Sequence, residues 1–129
     1  MAKHAKAGFT LIELLIVVVI IGILATIAIP KFAATKDKAK LASVKTDVRN
    51  IMTAQEAYWA DFGAFATIAQ LQVATNYNFS PGNSASAAPA VSGYTATVSN
   101  STITGGLTTC TVQVGGGAAS TIDGLVICS

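Results

Sequence analysis

An α+β fold is expected, with a long bent N-terminal helix packed on a small antiparallel sheet of three to four strands. Three observations predict it. A membrane-length apolar run, Phe9 to Ile29, lies near the start of the chain. A helical 3–4 spacing of apolar residues continues beyond Pro30 as far as Phe62. Alternating, β-branched segments gather after Tyr94. The expected organisation is a cleaved basic leader over 1–8, a transmembrane or filament-core helix over 9–29, an amphipathic helix over 30–62 continuing into the globular part, a loop over 63–92 and the antiparallel sheet with a disulfide over 93–129.

The first element carries most of the apolar content. The chain has 129 residues, 52% of them hydrophobic and 11% charged. A soluble domain carries roughly 25% charge. About 21 helical residues at ~1.5 Å rise give ~31 Å, the thickness of a bilayer core. A cleavable secretory signal has a shorter apolar region and a small-residue exit. Ile29-Pro30-Lys31-Phe32 is not such an exit, so the run is expected to stay in the mature protein.

One charge, Glu13, lies inside the run. A carboxylate at a bilayer centre costs on the order of 3 kcal/mol on insertion scales, and such a group usually has a partner. Glu13 either reaches the headgroups, being a turn from the end, or meets a positive charge. An amino terminus created by a cut just before Phe9 would supply one.

The stretch Lys6-Ala7-Gly8-Phe9-Thr10-Leu11-Ile12-Glu13 resembles the type IV pilin and pseudopilin family. That family's leader ends in Gly, its mature chain begins with a hydrophobic residue, most often Phe, and a Glu follows four residues later. Pro30 is similar to a proline common at the end of the family's membrane segment. The close resemblance covers roughly Lys6 to Lys31. It implies cleavage between Gly8 and Phe9 by a prepilin peptidase and N-methylation of Phe9. It also implies a pairing of Glu13 with the Phe9 amine of a neighbouring subunit. An unpaired charge in an apolar environment is penalised, so that pair would set the register of assembly. Removing Lys3 and Lys6 from eight basic residues leaves six against six acids, so the mature side chains are formally neutral.

The positive-inside rule points the other way. Lys31, Lys36, Lys38, Lys40 and Lys45 follow the run and would place that side in the cytoplasm. The leader must face the peptidase, and Asp37 and Asp47 dilute the cluster. The expected orientation is therefore a cytoplasmic N-terminus in the inner membrane, with the C-terminal half outside.

The second element is amphipathic. Leu41, Val44, Val48, Ile51, Gln55, Tyr58 and Phe62 share one face, with Met52 and Trp59 alongside. Lys38, Lys45, Asp47, Arg49 and Glu56 are read onto the other, solvated face. Pro30 should bend the helix, and Gly22 is a second weak point. In the resembling family the stretch between such a Gly and Pro can lose helix on assembly, which marks Gly22 to Pro30 here. Gly63 is a plausible stop. The aromatics Tyr58, Trp59, Phe62 and Phe65 are read as packing at the helix–sheet junction.

Residues 66–92, rich in Ala, Ser, Asn and Gly, are read as a connecting loop with one short helical turn near Ile68 to Val73. In the third region Tyr94, Ala96 and Val98 share a strand face, as do Cys110, Val112 and Val114. Leu125 to Cys128 is a short last strand. Asn100-Ser101, Gly105-Gly106 and Gly115-Gly116-Gly117 offer turns. Two cysteines without a nearby His make a poor metal site. A Cys110–Cys128 disulfide is the better reading if this half lies outside the cytoplasm, worth roughly 3 kcal/mol in the loop-entropy model.

From Gly63 to Ser129 the one charged side chain is Asp123. So little charge argues against nucleic-acid binding by this half and suits a surface that meets copies of itself. No acid–base constellation, cofactor motif or phosphate loop is present in the sequence. The expected function is therefore structural and not enzymatic: a subunit of a type IV pilus-like filament, serving adhesion, twitching or a related role. The resemblance implies a homo-oligomeric helical filament, the prepilin peptidase, an assembly ATPase acting through a platform protein, and other minor pilins as partners. Two alternatives stand beside it. A type II secretion pseudopilin usually has a calcium-binding loop and no disulfide, and this half holds too few acids for such a loop. A single-span membrane-anchored binding domain that does not polymerise would keep Met1 to Gly8.

Overall fold

The computed structural model describes residues 8–115 and 123–129. The basic flank before Gly8 and the Gly116-Gly117 part of the expected turn lie outside the described residues. The chain divides into two units, Met1–Thr35 and Lys36–Ser129.

The first unit holds the start of helix α1, which runs continuously over Leu11–Phe62 with Pro30 inside it. Gly22 and Pro30 are both helical. Pro30 still removes the N–H that would have bonded the carbonyl of residue 26. The apolar side chains from Phe9 to Ile29 are exposed: Phe9 is 84% exposed and Ile29 70%. Among the described residues none of its apolar window is buried, an exposed apolar surface of the kind that meets lipid or other chains.

The second unit is built on the rest of α1. Val44, Val48 and Ile51 are fully buried at helical spacing, with Leu41, Met52 and Tyr58 packed alongside. α1 ends at Phe62, where the Gly63 N–H returns to the Trp59 carbonyl at 2.8 Å. Helix α2, Ile68–Ala74, starts at Thr67, whose N–H is accepted by the Gln70 side chain at 2.8 Å. Leu71 is its buried anchor.

Four strands follow: β1 Ser84–Ala90, β2 Gly93–Ser99, β3 Thr109–Gly115 and β4 Ile127–Cys128. They form one antiparallel meander in the order β1-β2-β3-β4. The register pairs Ala96 with Val112 and Val98 with Cys110, and their side chains join the core against α1. The opposite face is polar, where the hydroxyls of Thr97 and Thr111 meet at 3.1 Å. Gly93 and Gly115 are also register partners. A Cβ on either would collide with backbone across the pair, and Gly115 has φ +74°, so both positions demand glycine.

Two sequence expectations change here. The segment read as loop contains strand β1, the edge of the sheet. Its residues, Ser-Ala-Ser-Ala-Ala-Pro-Ala, lack the β-branched and aromatic types that mark strands, and pairing with β2 overrides that weak propensity. Pro89 is tolerable because the strand is an edge. The strand is launched by a turn, Ser80-Pro81-Gly82-Asn83, in which Asn83 N–H bonds the Ser80 carbonyl at 3.1 Å and Gly82 takes φ +85°. Second, Asp47 is not on the solvated face; it is 2% exposed.

Candidate assembly helix

The N-terminus of α1 is closed by a capping box. Thr10 is the cap and Glu13 the third helical residue. The Thr10 N–H donates to Glu13 Oε2 at 2.8 Å and the Thr10 hydroxyl to the same oxygen at 2.7 Å. The Glu13 N–H returns to Thr10 Oγ1 at 3.3 Å. Two otherwise orphaned donors of the helix end are thereby satisfied without water. Both Thr10 donors use Oε2, so Oε1 remains a separate acceptor. A carboxylate in the first turn also faces the positive end of the helix dipole. The structure thus brings Glu13 to Thr10, a partner the sequence reading left out although T-x-x-E is a recognisable signature.

Downstream of the box the exposed residues Leu11 to Ile29 form a helix long and apolar enough to cross a membrane, with none of its apolar window buried. Gly8 and Phe9, the expected cleavage pair, precede the cap, and a Cβ at Gly8 would meet nothing within 4 Å.

Beyond Lys36, α1 also carries hooks that hold the polypeptide around it. Asp37 Oδ2 accepts the Thr104 N–H at 3.2 Å, its hydroxyl at 3.1 Å and the Gly105 N–H at 3.0 Å. Lys40 donates to the Thr102 carbonyl at 2.6 Å and lies 3.6 Å from Asp37 Oδ1. Burial alone would raise the Asp37 carboxyl. The donors of Thr104 and Gly105 and the Lys40 ammonium outweigh it and hold Asp37 below its ordinary value.

Further along α1, the buried Asp47 carboxylate accepts the Ser80 N–H at 2.9 Å, the Ser80 hydroxyl at 3.0 Å and the Asn83 amide at 2.7 Å. Asn100 extends the network to Asn83 at 2.7 Å. The Tyr77 hydroxyl donates to the Asp47 carbonyl at 3.2 Å. Burial, aided by the Asp47 charge, pushes the Tyr77 hydroxyl well above its ordinary value. Gln55, fully buried, closes both polar groups of Ala66, at 2.6 and 2.9 Å. Sequence reasoning placed Gln55 on the buried face but not its role, and misplaced Asp47. No local signal identifies a partner some 30 residues away.

Cys110 and Cys128 are joined across the β3–β4 register pair. Among the described residues no three His, Cys, Asp or Glu side chains gather as a metal site.

A family model described as the prokaryotic N-terminal methylation motif matches residues 3–29. Among characterised proteins, the chain is similar to the type IV major pilin protein PilA of Myxococcus xanthus, 45% identical over 62 residues. That stretch is 48% of this chain and 28% of that protein. It is also similar to type II secretion system core protein G of Pseudomonas aeruginosa, 39% identical over 70 residues, 54% of this chain and 49% of the relative. The Vibrio cholerae core protein G is 37% identical over 65 residues, 50% of this chain and 44% of the relative. The matched stretch spans less than half the length of each of these three relatives.

Proposed function

We propose that this chain is a pilin-like filament subunit, made as a membrane-anchored precursor and polymerised through its N-terminal helix. The observation that carries the reading is one helix: an exposed apolar segment, opened by the Thr10–Glu13 box, inside the stretch that matches the methylation motif. Two of its relatives are named a type IV major pilin protein and a type II secretion system core protein, and the reading is of a structural protein.

In this reading prepilin peptidase cuts between Gly8 and Phe9, and methylated Phe9 becomes the cationic start of the mature chain. In the precursor the Glu13 carboxylate is stabilised by the two Thr10 donors. In the filament its second oxygen accepts the Phe9 ammonium of a neighbour while the cap persists. A misregistered subunit would leave both charges unpaired in an apolar interior, a penalty of several kcal/mol per ion. Gly22 and Pro30, the two weak points of the apolar helix, are where the chain would unwind on packing. The N-terminus faces the cytoplasm before assembly, and an assembly ATPase acts through a platform protein.

The similarity to core protein G favours a second reading, a pseudopilin of a type II secretion system. Intact mass of two fractions, surface-sheared material and residual membranes, separates the readings. A sheared species starting at methylated Phe9 is expected for a pilus subunit. The same processed species confined to membranes supports the pseudopilin. A species retaining Met1 to Gly8 would overturn both and leave a membrane-anchored domain that does not polymerise.

A further inference from the structure

The part of α1 beyond Lys36 presents two different flanks with the same spacing. Lys38, Ala42, Lys45 and Arg49 follow one another in steps of four, three and four, and all four are exposed. Asn50, Ala54, Ala57 and Asp61 repeat those steps; Ala54 is buried and the other three are exposed. At ~100° per residue the two flanks lie about 120° apart around the helix. The first is basic with a small residue, Ala42, in its middle. The second is small and ends in an acid. It also borders an open groove of about 320 Å³ lined by Asn50, Thr53, Ala54, Ala57, Thr75 and Tyr77.

We propose that the groove flank is a docking surface for a second copy of this chain, whose Lys38–Arg49 flank lies along it in parallel, pairing Arg49 with Asp61 of the copy that carries the groove. This rests on the filament reading above. Three features select this occupant. The separation of Arg49 and Asp61 is about 12 residues, ~18 Å of helix. Raising a parallel copy by that amount sets Lys38 level with Asn50, Ala42 with Ala54 and Lys45 with Ala57. Ala42 then meets the groove where its lining is small, at the buried Ala54 and the exposed Ala57, and the long basic side chains lie across the groove's edges. Second, an unstaggered parallel pair would set like charges at equal height, which is penalised. Third, the two flanks differ, so the contact is heterologous, and heterologous contacts propagate open helical assemblies rather than closing a dimer.

A single exposed ion pair is worth little in affinity. Its effect here is on stagger, because reversing either charge opposes this offset at every repeat. The pair is also available: among the described residues the ion pair found is Lys40–Asp37, which uses neither Arg49 nor Asp61.

The test uses full-length protein in cells that assemble fibres. Arg49→Asp and Asp61→Arg should each lower sheared fibre at least tenfold at unchanged membrane level and processing, and the double swap should restore it. An Arg49→Cys/Asp61→Cys chain should form a ladder of disulfide-linked multimers under mild oxidation, because ~18 Å within one helix is too far for an internal bond. Single-cysteine variants should give no ladder. Wild-type fibre yield in both reversal variants, with no ladder, would overturn the contact and leave the filament reading intact. Loss in Arg49→Asp that the swap does not restore would place an anionic headgroup or another partner on the basic flank and also overturn it. Wild-type cells that make no fibre would overturn the filament reading, and this contact with it.

Discussion

Asp47 shows what one side chain can organise. It sits on α1 between Val44 and Val48, both fully buried, yet it is itself a buried acid. Its carboxylate is satisfied by Ser80 and Asn83, which fixes the turn that launches β1. Asp47→Ala would leave those part-buried donors without their acceptor, and stability should fall by about 1–3 kcal/mol. Denaturant unfolding in detergent, followed by near-UV circular dichroism, would measure it, and Asp47→Asn should recover part of the loss. Tyr94 supplies a pH-dependent case. Burial first, and then the Glu56 and Asp123 charges, push its hydroxyl up to about 12. A folded value above the unfolded one means the contribution is complete below about pH 10, the ordinary tyrosine value. It is lost progressively as pH rises towards about 12. Stability measured across that window should decline more steeply in the wild type than in Tyr94→Phe; equal slopes would remove Tyr94 as the cause.

Strands β3 and β4 depend on a covalent tie. β4 has two residues, Ile127 and Cys128, and among the described residues pairs at Cys110↔Cys128 and Thr111↔Ile127. So short an edge cannot hold itself by backbone bonds alone. Replacing both cysteines by serine should cost about 2–5 kcal/mol and raise amide exchange first at Thr109 and Ser129, whose backbones bond each other in both directions. Exchange unchanged there would show that β4 is held by packing instead. α1 behaves differently along its length. Its second part is held by the core and by the Asp37, Asp47 and Gln55 hooks, whereas none of the apolar window in its first part is buried among the described residues.

The whole molecule therefore divides its labour. The C-terminal unit has its own core on part of α1, and the N-terminal part of the helix presents an exposed apolar surface. Glu13→Val tests that division. Membrane insertion and folding of the C-terminal unit should remain normal, because Glu13 touches only Thr10 among the described contacts. Sheared filament should fall at least tenfold, the loss expected if an interior ion pair worth ~1.4 kcal/mol or more sets register. Normal filament from Glu13→Val would refute the register role.

Much of this was legible locally. The length and start of α1, its stop at Phe62, the inward faces of β2 and β3 and the methylation-type motif all follow from residues within a few positions of one another. Helical 3–4 spacing and strand alternation are short-range patterns, and Thr10 with Glu13 is a four-residue signature. Strand β1 and the burial of Asp47 were not legible. An Ala/Ser/Pro segment becomes a strand only when β2 offers it partners, and an acid can be buried only when donors from Ser80 and Asn83 arrive to meet it. Those partners lie more than 30 residues from Asp47 in the chain. Their arrival depends on packing the sheet against α1, a long-range event that propensity and periodicity do not encode.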